Sequence, residues 1–396
     1  MKIAIIVRRM NVRGGTQRQA LGLARELKKL GHQVKLYTFV YSPGDCFPEF
    51  LSGLEVVSLN YYPRYSNYFI NYFSENRACR ALAAMIDRDT EVLNPHDQVA
   101  YRVAAYFKKD VKNIPSVWMS NDLPTKQFSF WKESQINPDH SAPLIKKIIW
   151  RLIDWYEINK FIKPQNAITV LDNMNKDHMR KFIGKDAMVV RSGIDLNEFS
   201  FVKRSPLQNK SAKILATGIF FPHRRFEDAI SAAKILRDGG YDVELNIVGD
   251  HQSDKSYYQK LAKLVKDCGL ESAVNFLGKV SDEELRRQYA ANDIFVFPNH
   301  VQTWGLVVME AMATGLPVVV SKTTGAAEVL KNGENAILVN PKSPDEVADA
   351  IRQLIDDTNL YSRLSQNGRK FVEENISWSK YAQRMSAAFE AARKLI

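Results

Sequence analysis

Glu310 is the only charged residue in the run Leu306-Val307-Val308-Met309-Glu310-Ala311-Met312-Ala313. A carboxylate in so apolar a helix costs on the order of several kcal/mol unless a partner satisfies it. Upstream, Ile294-Phe295-Val296-Phe297 reads as a strand stopped by Pro298, and a polar loop runs from Asn299 to Thr303. Trp304-Gly305 then opens the apolar helix, which Gly315 and Pro317 stop. A helix that starts after such a loop points free N–H groups and a partial positive charge at an anion. An anion over the Gln302–Trp304 loop, with a hydroxyl-binding carboxylate deeper in the helix, is the chemistry of a nucleotide.

Other residues could share that chemistry. Arg224-Arg225 follows a strand-like run and could hold phosphate, as could the turn at Gly325. Gly14-Gly15 stands at a strand-to-helix turn, where a ligand can approach the backbone closely, although two glycines also suit a tight turn alone. His96 follows another short apolar run and could act as a base, a hydrogen-bond donor or a structural residue. Asn121 and Asp122 follow a further one. No Asp-x-Asp element sits in a strand-end loop and no His/Cys cluster has ligand spacing, so no metal and no cofactor are expected. No nucleophile–base pair stands out.

The elements that must position these groups alternate. Residues 3–7 read as a buried strand, 16–30 as an amphipathic helix and 34–40 as a strand, which is a βαβ unit. Glu91–Leu93 reads as a strand running into a loop of Asn94-Pro95-His96-Asp97, with a helix from about Val99. Strands are also expected at 116–119, 167–171 and 188–190. After a polar linker, Asp195–Lys210, the alternation resumes at 213–218, 243–248, 274–277, 294–297, 318–321 and 336–339, with a last helix at about 378–396. The fold class is α/β: two Rossmann-like, doubly wound domains facing each other across a cleft. Their expected bounds are 1–198 and 199–375, with 376–396 as the closing helix.

The 396 residues suffice for two cores, and 45% apolar with 25% charged residues is an ordinary globular composition. Three cysteines without ligand spacing fit a reducing compartment. Only Ile3–Val7 separates Met1-Lys2 from Arg8-Arg9, so no signal-peptide core is expected, and no apolar run is long enough to span a bilayer. The expected location is the cytoplasm. The net charge of +11 divides into +9 over residues 1–200 and +2 over 201–396. The basic half contains Tyr61–Phe73, dense in aromatics, and Pro143–Lys163, a basic helix bearing tryptophans. Together they suit an anionic membrane surface at its inner face, or they pack on their own domain with Lys and Arg solvated. No nucleic-acid partner is expected.

The segment PNHVQTWGLVVMEAMATGLPVVVSKTTGAAEVLKNGENAILV resembles the nucleotide-sugar signature of the family-4 retaining glycosyltransferases, which have the GT-B fold. Gly14 to Arg18 resembles the family's N-terminal glycine loop, Arg191 to Asp195 its P-N-G-V-D junction, Gly218 to Ile230 its G-R-x-x-x-x-K-G loop and Val274 to Leu285 its F-L-G-x-V-S-D-E-E-L element. The resemblance implies transfer of a sugar, as a hexosyltransferase does, from a nucleotide diphosphate donor to a hydroxyl acceptor, with retention. The acceptor would be a glycan, a lipid-linked sugar or a small molecule. It also implies that the last helix crosses back to the N-terminal domain.

By position, the resemblance makes His96, Gln302 and Glu310 the catalytic set, with Glu310 holding the donor ribose and His96 beside the transferred sugar. Gly15, Arg224, Arg225, Thr303, Trp304, Gly305 and Leu306 would hold the diphosphate. Gly249, Gly278, Lys279, Val280 and Glu310 would hold the nucleoside. Arg18, Asn121 and Asp122 would face the acceptor. Two positions depart from the family: Gln302 stands for the first glutamate of E-x7-E, and Ile219 for the arginine of the diphosphate loop. Arg225, where the family usually has glycine, or His223 would be the substitute. These departures also keep open a non-catalytic nucleotide-sugar-binding or membrane-docked subunit; a GT-B epimerase or phosphorylase is the other enzyme reading.

Overall fold

The computed structural model describes residues 1–136, 141–301 and 303–395. They separate into two compact units: Met1–Gly193 with Trp378–Ile396, and Ile194–Ser377.

The first unit runs β1 (Lys2–Val7), α1 (Gly15–Lys29), β2 (Gln33–Thr38), α2 (Pro48–Leu51), β3 (Glu55–Ser58), α3 (Tyr68–Ala84), β4 (Val92–His96), α4 (Ala100–Asp110), β5 (Val117–Ser120), α5 (Lys126–Ile136), α6 (Leu144–Glu157), β6 (Ala167–Val170), α7 (Asn173–Ile183) and β7 (Met188–Val189). All pairings are parallel, in the order β3-β2-β1-β4-β5-β6-β7. Burial on both faces explains why the central β1 reads as an unbroken apolar run, Ile3–Val7. β4 extends beyond the expected Glu91–Leu93: Pro95 pairs with Ile6 and His96 with Val7, so Asn94, Pro95 and His96, expected in a loop, are strand, and only Asp97 lies beyond it. Pairing with the central β1 overrides the usual aversion of strands to proline. The basic segment expected as one helix is α6 continued by a π-helical turn, Ile158–Ile162.

The second unit runs β8 (Ser211–Thr217), α8 (Phe226–Asp238), β9 (Asp242–Val248), α9 (Lys255–Asp267), β10 (Val274–Gly278), α10 (Asp282–Ala291), β11 (Ile294–Phe297), α11 (Leu306–Ala313), β12 (Val318–Ser321), β13 (Ile337–Val339), α12 (Pro344–Asp356) and α13 (Thr358–Asn375). Its sheet is parallel too, in the order β10-β9-β8-β11-β12-β13.

The last helix, α14 (Trp378–Arg393), belongs to the first unit. It buries Trp378, Tyr381, Met385 and Phe389 against α1. The helices approach so closely at Gly22 that an added Cβ would lie 2.8 Å from the Trp378 ring.

Each sheet reverses direction once, between β1 and β4 in the first unit and between β8 and β11 in the second. Loops leaving the carboxyl ends of such strand pairs diverge and open a crevice, which is where open α/β sheets bind ligands.

Candidate functional site

At the β8/β11 reversal the loops Gly218–Arg225 and Pro298–Gly305 are tied together. His300 N donates to the His223 carbonyl (2.8 Å). The buried Asn299 brackets Arg224: its Oδ1 accepts from Arg224 Nη1 (2.9 Å) and its Nδ2 donates to the Arg224 carbonyl (3.1 Å). The Arg224 side chain lies against Gly218, where an added Cβ would come within 3.2 Å of it. Among the described residues no carboxylate neutralises this guanidinium, and its buried Nε has no partner. Burial pushes its pKa down to about 10, with only the Tyr257 hydroxyl opposing. An unneutralised, largely desolvated guanidinium could receive an anion, and phosphate oxygens suit its fork.

Arg225 is different. Its Nε and Nη2 clasp Asp228 (3.0 and 2.5 Å) and its Nη1 meets Glu227 (2.7 Å). Two carboxylates already neutralise it, so its charge is less available to an anion than that of Arg224. It adopts φ +54°, a conformation glycine reaches without strain. Ile219 leaves an apolar side chain 47% exposed in the same loop, so position 219 itself carries no charge.

Glu310 is buried as expected, but it is not alone. The Tyr289 hydroxyl, fully buried on α10, donates to its Oε2 (3.0 Å). The partner that so buried a carboxylate needs is thus supplied, at least in part, by the chain itself, from a residue 21 positions away. α11 begins at Leu306, so Thr303 and Trp304 belong to the loop before it. The Trp304 indole is buried and anchors that loop. Gly305 caps the helix at φ +75°, and an added Cβ would meet the Phe297 ring at 3.1 Å. Gln302 lies outside the described residues.

Gly249 has a packing reason to be glycine. An added Cβ would fall 1.8 Å from the Gly218 carbonyl oxygen, while its own N–H donates to the Gly278 carbonyl (2.9 Å). That bond occupies the Gly278 carbonyl, so Gly249 and Gly278 hold the β8, β9 and β10 ends together. Lys279 is exposed and Val280 partly so beyond them. His251, stacked on Tyr258 with ring centres 4.8 Å apart, lies beside Gly278 and is an unforeseen member of this edge.

In the first unit His96 ends the central strand β4 and is fully buried. Asn94 Nδ2 donates to the Val117 carbonyl (2.7 Å), which leaves its Oδ1 to accept from His96 Nε2 (2.8 Å). The proton therefore sits on Nε2, and Nδ1 is a buried acceptor without a partner. Burial pushes the imidazole pKa down to about 3, so His96 is neutral at pH 7 and is a weak base. The loop after it holds Asp97 and the β-branched Val99 at φ +62° and +71°, the kind of strain that collects at functional sites.

Gly15 begins α1 with open space where a Cβ would be. Asn121 Nδ2 donates to Thr16 Oγ1 (3.1 Å), joining the β5 loop to the start of α1. Its Oδ1 is buried and unpartnered. Asp122 is paired with Lys132 (2.8 Å), and Arg18 is partly exposed. A cavity of about 190 Å³, whose walls include Arg8, Gln98, Val99, Lys126 and Asp154, opens among the loops that follow β1, β4 and β5. The sequence did not point to it, because its walls come from separate segments.

A family model described as "Glycosyl transferases group 1" matches residues 198–371, and one described as "Glycosyltransferase Family 4" matches 13–198. The chain belongs to the group 1, family 4 glycosyltransferases. Mannosylfructose-phosphate synthase of Agrobacterium fabrum is 25% identical over 402 residues, covering 95% of this chain and 86% of the relative. In three dimensions this glycosyltransferase is similar to sucrose-phosphate synthase of Thermosynechococcus elongatus (TM-score 0.77, 20% identity, 100% of both chains). It is also similar to Anabaena HepE in complex with UDP-glucose (TM-score 0.74, 18% identity, 99% of this chain and 100% of that one). Both likenesses are of fold, which is GT-B.

Proposed function

We propose that this glycosyltransferase moves a hexosyl group from a nucleotide diphosphate sugar to a hydroxyl acceptor, with retention and without a metal ion. The observation that carries the reading is Arg224, an unneutralised guanidinium held at a crevice beside the loop that leads into α11. A diphosphate there would gain charge-assisted bonds from Arg224 and dipolar stabilisation from the first amides of α11. Glu310, already held by Tyr289, would accept from ribose hydroxyls. In the first unit, the cavity by Val99 and Lys126 would receive the acceptor, and neutral His96 would offer Nδ1 to a sugar hydroxyl rather than remove a proton.

In the reaction the bond from the anomeric carbon to the diphosphate oxygen breaks. The acceptor oxygen bonds to that carbon from the same face, and its proton passes to the leaving diphosphate. This scheme needs no nucleophile–base pair, and none stands out in the sequence. Electrostatic stabilisation of the leaving group is the main contribution asked of the protein.

A panel of nucleotide sugars with sugar and lipid-linked acceptors tests the proposal, read as release of nucleoside diphosphate and as anomeric configuration of the product by NMR. Transfer with retention that survives a chelator is the expected result. Inverted product or loss of turnover with chelator would overturn the corresponding part. The exposed Ile219 and the neutralised Arg225 favour a second reading, a binding subunit without turnover. Nucleotide-sugar binding with no transfer to any acceptor would select it.

A further inference from the structure

We infer that the outward face of α6, with the adjoining start of α3, is a docking surface for an anionic lipid bilayer. The inference stands on this surface alone and does not depend on the donor or the reaction.

The alternative raised by the sequence, that these segments pack on their own domain, fails for one side of α6. Leu144, Ile145, Ile148, Ile149, Leu152 and Trp155 are 49% to 73% exposed. Their spacing, i, i+1, i+4, i+5, i+8 and i+11, makes them one continuous stripe along the helix. Phe69 and Phe73 on α3 are 68% and 71% exposed, and the two helices touch where Tyr72 meets Tyr156 edge-on at 6.4 Å. Soluble surfaces rarely leave so much contiguous apolar area to water.

Charge decides what covers it. Lys146, Lys147 and Arg151 are exposed along the stripe. The two acids of α6 both turn inward. Asp154 accepts from the first amides of α5, Lys126 N (2.7 Å) and Gln127 N (2.9 Å). Glu157 accepts from Arg102 Nε (2.6 Å) and the Tyr101 hydroxyl (2.7 Å). The one acid of α3, Glu75, is buried against Arg102 (2.7 Å). Neither helix exposes a carboxylate. A two-fold contact with a second copy would set this patch against itself, so its cations would meet no carboxylate from either of these helices. Anionic headgroups beside acyl chains match both the cations and the stripe, with Trp155 at the depth that indoles favour. Among the described residues no helix is long and apolar enough to cross a membrane, so the contact is with one leaflet.

The test uses the full chain and vesicles of phosphatidylcholine with about one-third phosphatidylglycerol, compared with phosphatidylcholine alone. The expected result is co-sedimentation with the anionic vesicles, weakened by salt, and a blue shift in emission that Trp155→Phe removes. The double variant L144E/I145E should keep its thermal midpoint, since both side chains are over 70% exposed, and bind the vesicles at least tenfold more weakly. The inference is overturned if wild type ignores anionic vesicles or the double variant binds as well as wild type. It is also overturned if wild type sediments as a dimer that this variant dissociates, which would make the face a contact between copies.

Discussion

The neutral state of His96 has a consequence for stability that can be measured without knowing any substrate. Its pKa is pushed from 6.5 to about 3 in the folded chain. Between those values the unfolded chain binds a proton that the folded chain does not, so stability rises with pH and is lost as pH falls below about 6.5. At pH 5 the gap is about 1.5 pH units, and at 1.36 kcal/mol per unit the loss attributable to His96 is about 2 kcal/mol. His96→Gln removes the titrating group, so its stability should fall less between pH 7 and pH 5 by that amount. His32 and His178, whose pKa values burial also lowers, remain in both proteins and cancel. Urea unfolding followed by tryptophan emission is the assay: Trp118, Trp131, Trp150, Trp155 and Trp378 all lie in the first unit, leaving Trp304 in the second. With a slope of about 2 kcal/mol per molar, the wild-type midpoint should drop about 1 M further than that of the variant. Equal drops in the two proteins would refute a His96 held neutral by burial.

Three further outcomes follow from the packing. Gly249→Ala would drive a methyl into the Gly218 carbonyl and should destabilise the second unit by on the order of 3 kcal/mol, read from its urea midpoint; a neutral effect would contradict the interlock of β8, β9 and β10. Gly22→Ala should destabilise the first unit by about 1–3 kcal/mol by pushing α14 off α1, and an unchanged thermal midpoint would argue against that contact. Tyr289→Phe deprives buried Glu310 of a donor and should cost about 1–3 kcal/mol in urea unfolding; no loss would mean that this bond does not support the carboxylate.

The alternation of strands and helices was legible because parallel strands buried on both faces are written as plain apolar runs, as in Ile294–Phe297 and Val318–Ser321. The extent of β4 was not, because Pro95 reads locally as a loop while its place is fixed by pairing with β1. The fate of Arg225 was in principle readable: Glu227 and Asp228 follow it at the distances a helix start brings together. Tyr289 as the partner of Glu310, and Asn299 as the bracket of Arg224, come from other elements, and nothing in local pattern pairs them. The apolar stripe of α6 was visible as composition, but its exposure depends on what the tertiary fold leaves uncovered.

The central claim is that Arg224 receives the donor diphosphate. Calorimetric titration of nucleoside diphosphates and their sugars into wild type and Arg224→Met tests it most directly. Losing a charge-assisted contact of about 1.5–3 kcal/mol predicts affinity weaker by roughly ten- to a hundredfold, with affinity for the bare nucleoside unchanged. Equal diphosphate affinity in the two proteins would contradict the account.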